Sequence, residues 1–147
     1  MKRLLLALAA TLAMGSVVAQ SSPVGLWKSV DDETKKEKSL VRISEADGAL
    51  VGKIEKLLDP ASKPDAICDK CDDDRKDKPI LGMTIIRGVN KTPDDDGAWK
   101  GGTVLDPNKG KIYKLRLKLA DEGKKLEVRG YIGTPLIGRT QTWSRVE

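Results

Sequence analysis

Cys68-Asp69-Lys70-Cys71 is the sharpest chemical motif in the chain. Two thiols at this spacing can close a disulfide, work as a redox pair, or give a metal two soft ligands. A turn brings residues i and i+3 within the Cα range that a disulfide needs, and outside the cytosol oxidation is their ordinary fate. A redox pair asks for a helix N-terminus in a βαβ setting, and Asp69, Asp72, Asp73 and Asp74 disfavour a thiolate. A zinc site needs further ligands, and the chain has no third cysteine and no histidine. A disulfide is therefore expected, with the other two readings left open.

The absence of histidine also excludes Ser-His and Cys-His nucleophile pairs. No catalytic constellation is legible, so no enzyme and no cofactor are expected. The runs Asp72-Asp73-Asp74 and Asp94-Asp95-Asp96-Gly97 suggest calcium. The second run misses the EF-hand pattern: Thr92 stands where the first aspartate belongs and Thr103 where the bidentate glutamate belongs. Both runs read as solvated turns, the first pairing with Arg75, Lys76 and Lys78, and no metal is expected. Gly130, Gly133 and Gly138 precede no helix and form no phosphate loop.

A fourth constellation lies near the C-terminus. Arg139, Gln141, Trp143 and Arg145 share one face of an extended segment; Thr140, Thr142, Ser144 and Val146 share the other. With the first set turned inward, a buried arginine needs a partner, which a ligand carboxylate or phosphate supplies bidentately. The competing arrangement stacks one arginine on Trp27 and leaves the other on an internal acid or at a rim.

The elements that must position these residues are short strands. Runs at Val24 to Val30, Leu40 to Ser44, Leu50 to Leu58 and Ile80 to Val89 are followed by Trp99 to Leu105, Lys111 to Leu119, Lys124 to Ile132 and Ile137 to Val146. Asp47-Gly48, Asp94 to Gly97, Asp106 to Gly110 and Asp121 to Gly123 supply turns. Tyr113, Leu115, Leu117 and Leu119 alternate with Lys114, Arg116 and Lys118. An apolar inner and charged outer face means a water-soluble barrel, the reverse of a transmembrane one. Eight antiparallel strands closing up-and-down remove exposed edges. The long connection from Asp59 to Pro79 has no strand periodicity and is expected to cover the barrel mouth.

The chain opens with Met1-Lys2-Arg3, an apolar run from Leu4 to Met14, and Gly15-Ser16-Val17-Val18-Ala19. This reads as a signal peptide over residues 1–19, cleaved after Ala19, with one domain over 20–147. The run is too short to span a bilayer, and no transmembrane segment is expected in the mature chain. Gln20 stands where a lipoprotein would carry cysteine. Removing Lys2 and Arg3 leaves 25 basic residues against 22 acidic, a net charge of +3. With aromatics at 3% and an exported chain, nucleic acid is not an expected partner.

Gly25-Leu26-Trp27 on the first strand, answered by Arg139 to Arg145 on the last, resembles the signature of lipocalin-like barrels. That resemblance implies that Gly25 and Trp27 close one end and that an arginine lies across the indole. Arg145 is favoured over Arg139, since it sits near the chain's end just after Trp143. Further segments carry a closer likeness: Gly52-Lys53-Ile54, Asp74 to Met83, Gly101 to Pro107, and Arg129 through Trp143. Together they resemble the bacterial exported domain-of-unknown-function family 2147. The resemblance implies a lipocalin-like (calycin-like) barrel in the cell envelope and no particular activity.

The resulting expectation is a monomeric, periplasmic barrel that binds a small, partly apolar, anionic, lipid-like molecule without catalysis. Trp27, Arg139, Gln141 and Trp143 would line or close its cavity. The alternative is an envelope interaction or structural module with a filled core. Interior volume separates the two.

Overall fold

The computed structural model describes residues 21–147. The segment expected to be a signal peptide, with its cleavage site, lies outside them. Eight strands follow one another: β1 (Gly25–Val30), β2 (Glu37–Ala46), β3 (Ala49–Leu57), β4 (Thr84–Asn90), β5 (Trp99–Asp106), β6 (Lys111–Ala120), β7 (Lys125–Tyr131) and β8 (Gly138–Arg145). Each pairs antiparallel with its sequence neighbours, and β8 returns to β1 to close the barrel. The expected architecture is the observed one.

Local chemistry explains the hairpins. Asp47 and Gly48 both take positive φ, 53° and 78°, the geometry that a two-residue turn between twisted strands requires. Asp121, Glu122 and Gly123 all take positive φ and form one left-handed turn before β7. Inner positions carry the apolar side chains: Trp27 on β1, Val41 and Ile43 on β2, Leu50 and Ile54 on β3, Leu115 and Leu117 on β6, Leu126 and Val128 on β7. Lys114, Arg116 and Lys118 take the outer face between them, as the alternation in β6 requires. Outer charges pair across strands, as Arg42 does with Glu55.

β2 begins at Glu37, three residues before the expected Leu40, and two larger expectations also change. The fourth strand begins at Thr84, not Ile80, because Ile80 to Met83 belong to the preceding segment, whose Met83 carbonyl accepts from the Ile54 N–H at 2.9 Å. That segment, expected over Asp59 to Pro79 and reaching Met83, is also not a cover over the mouth. Ile86 pairs with Gly52 and Val104 on the inner face, and Arg87, opposite Thr103, points outward. Leu105 likewise faces out, opposite Ile112. Leu105 is nevertheless buried. The cysteine segment lies over this wall: Asp72 and Asp73 stand beside Leu105, Asp74 grips Arg87 with two hydrogen bonds of 2.9 Å, and Arg75 donates to the Thr84 carbonyl. The Cys68 Sγ lies 3.4 Å from the Pro107 carbonyl oxygen. The segment is a lobe on the outside of the β4–β5 wall. Its apolar residues Cys68, Cys71, Ile80 and Met83 found better burial on that wall than across an aqueous opening.

Candidate functional site

The two ends of the barrel are built differently. At one end the first and last strands meet, and Trp27 pairs with Arg145. Trp27 is fully buried, and its indole N–H donates to the Pro23 carbonyl at 2.7 Å. The Arg145 guanidinium lies 4.2 Å above the ring centroid. Its Nε–H donates to Gly123 O at 2.7 Å, Nη1 to Val24 O at 2.9 Å, and Nη2 to Ser22 O at 2.7 Å. Arg145 thus joins the N-terminal segment, the turn before β7 and β8. Burial without an acid partner lowers its pKa below the usual arginine value.

Gly25 makes this closure possible. Its φ is +143°, and a Cβ there would stand 2.4 Å from Glu147 O and 2.6 Å from Arg145 Nη1. The C-terminal backbone passes through that space: the Leu26 N–H donates to Glu147 O at 2.8 Å. Above this plug Trp99, Trp143, Leu115, Leu117 and Leu126 are buried and fill the closed half.

The other end is wetter. Following the inner face upward from Trp143, Gln141 is half-buried and Arg139 is exposed. Gln141 Oε1 accepts from the Trp143 indole N–H at 2.9 Å. Val104, Tyr113 and Gly130 share this level, and Leu57 faces in beside Ser39. Gly130 gives Tyr113 and Val104 room: a Cβ there would meet Tyr113 Cβ at 3.3 Å and Val104 Cγ1 at 3.6 Å. Ser29 and Ser39 join their hydroxyls at 2.8 Å on the same inner face.

Arg139 reaches across the mouth to the β1–β2 loop. Its Nε and Nη2 donate to the two oxygens of Asp32 at 2.9 and 2.8 Å, and Nη2 lies 2.9 Å from Glu33. The bond to Asp32 raises the Arg139 pKa, so the group stays cationic. The fork geometry is the bidentate one by which arginine holds any carboxylate. Asp32 and Glu33 were legible only as a charged turn, since barrel closure alone brings them to β8. Tyr113, Ser29 and Ser39 also gave no separate signal, because their residue types are ordinary on strands.

The candidate residues therefore divide. Arg139 and Gln141 share the open half, Trp143 lies beneath them, and Trp27 sits under Arg145 at the far end. Cys68 and Cys71 are bonded to each other, with Cα atoms 5.4 Å apart, and both are buried in the outer lobe. Arg75 anchors that lobe, donating to Asp73 through Nη2 at 2.6 Å and holding the Asp73 carboxyl down at about 2. Asp96 pairs with Lys100 and Arg116 at 3.0 and 2.9 Å, which accounts for the second acidic run. Beside the lobe an open groove of about 520 Å3 runs along the rim between Asp72, Leu105, Tyr113 and Ile132.

One end sealed by tryptophan under arginine and one end left accessible, on eight strands closed in sequence order, define a lipocalin-like barrel. A solved structure bears this out for the fold: protein HP1028 from the human pathogen Helicobacter pylori, described as belonging to the lipocalin family. It superposes with a TM-score of 0.70 at 21% identity, over 84% of this chain and 82% of that one. No curated protein sequence matches. Residues 25–145 match the model of the family described as "Uncharacterized protein conserved in bacteria (DUF2147)", and the chain belongs to that family.

Proposed function

We propose that the protein is a periplasmic, non-catalytic binder of a small amphipathic anion, held in the open half of its barrel. The observation that carries this is Arg139, an inward-facing arginine at the mouth whose bidentate partner is a carboxylate on a surface loop. A ligand carboxylate or phosphate would take the place of Asp32 on the same fork. Its apolar part would lie against Leu57, Val104 and the Tyr113 ring, and the Gln141 amide would fix its orientation. The filled half below limits the ligand to one short chain or ring. The signal-like N-terminus supports export, and the absence of histidine supports a binder over a hydrolase.

A second reading is an interaction module without a small ligand. It is favoured by the solid closed half and by the fact that Asp32 and Glu33 already satisfy Arg139. Calorimetric titration with decanoate separates the two, with decanol as the uncharged control. The ligand reading expects saturable one-to-one binding of decanoate, weaker binding of decanol, and at least about a tenfold loss in Arg139→Met. Absence of binding, or equal binding to wild type and Arg139→Met, would favour the module.

A further inference from the structure

The turn between β7 and β8 crowns the open rim with bare hydrocarbon. Ile132, Leu136 and Ile137 are 62, 90 and 67% exposed. Single exposed leucines are ordinary, but three large aliphatic side chains on one six-residue tip form a patch. The tip is held in shape. The Ile132 N–H donates to Ile137 O at 3.0 Å, and the Ile137 N–H to Thr134 O at 3.0 Å. Arg129 braces it from below, donating from Nε to Pro135 O at 2.7 Å and from Nη1 to Thr140 Oγ1 at 2.9 Å. The backbone is thus satisfied while the apolar side chains are left outside.

The wall beneath the tip is basic. Outer positions of β6, β7 and β8 carry Lys114, Arg116, Lys118, Lys125 and Arg129, with Glu127 the one acid on these strands and Arg116 held by Asp96 from the β4–β5 turn. Lys114 lies opposite Tyr131, next to the turn, and Arg116 opposite Arg129. Acids also stand at this rim: Asp72 and Asp73 share the groove with Ile132, Asp73 being taken by Arg75, and Asp32 and Glu33 are taken by Arg139.

An apolar tip above a cationic collar has the chemistry of a surface that is oily behind an anionic layer. We propose that the β7–β8 turn docks this protein peripherally on an anionic lipid bilayer. Ile132, Leu136 and Ile137 enter the boundary of the acyl region, and Lys114 and Arg129 meet headgroup phosphates. This docking rests on the tip and its collar alone and stands whether or not a ligand occupies the barrel.

Vesicle sedimentation tests it, using phosphatidylcholine alone and phosphatidylcholine with phosphatidylglycerol. The wild-type protein is expected to sediment with the anionic vesicles, and less so with neutral ones or in high salt. Leu136→Ser with Ile137→Ser should weaken that binding at least about tenfold, since two hydrocarbon side chains lose their burial. Lys114→Glu with Lys118→Glu should weaken it on anionic vesicles only. All four side chains are exposed, so an unchanged melting temperature verifies the fold of each variant. Wild-type protein left in the supernatant with both vesicles, or a serine variant that sediments like wild type, overturns the proposal. A lipid-free dimer that dissociates in the serine variant also overturns it, by assigning the tip to a second copy of the chain.

Discussion

Arg139 and Arg145 stand on the same face of the same strand, at opposite ends of one barrel. Arg145 covers a buried indole and gives its donors to three backbone carbonyls. Arg139 crosses an exposed mouth and gives its donors to carboxylates on a loop. The partners decide the role. A carbonyl fixed in backbone cannot leave without disordering a strand end. A carboxylate on a surface loop can be exchanged for another, at the small net cost typical of exposed ion pairs. One end is therefore structural, and the other is where exchange with a ligand is chemically easy.

The largest effect should come from the closed end. Trp27→Ala empties the plug, and aromatic truncations in cores cost about 3–5 kcal/mol. Against a total of about 5–15 kcal/mol, the midpoint of chemical denaturation should fall sharply. A near-wild-type midpoint would remove the distinction between the ends. The disulfide lobe comes next. Cys68→Ser with Cys71→Ser opens a very short loop, so the loss should be about 2 kcal/mol by the chain-entropy account. Because the lobe lies on the outer wall, ligand binding at the mouth should survive this change; its disappearance would put the lobe back over the opening. The smallest effect on stability belongs to Arg139→Met, which should leave the melting temperature unchanged while decanoate binding is lost. Destabilisation by Arg139→Met on the scale of Trp27→Ala would make both ends structural.

Period-2 alternation and turn chemistry made the strand count and closure legible, because both are local signals that a barrel repeats. The strand start misplaced furthest, at Ile80, follows from the same rule: an apolar run was read as strand when its burial comes from a lobe. The lobe's docking beside Leu105 had no sequence signal, since outer positions of a barrel with an apolar interior are expected to be polar. Residues Arg139 to Arg145 announced an inward face, but their partners did not announce themselves. Asp32 lies 107 residues from Arg139, and Ser22 lies 123 from Arg145. Pairings at that separation exist only once the last strand meets the first.

The most direct test compares the two arginines through the same tryptophan. In a double-mutant cycle, Trp27→Leu is combined with Arg145→Met and, separately, with Arg139→Met, and stability is read by denaturation. The first cycle should show coupling of at least about 0.5 kcal/mol, as for residues in contact, and the second should be additive. Additivity with Arg145 and coupling with Arg139 would contradict the account, moving Arg139 to the plug and leaving the mouth without its anion-holding group.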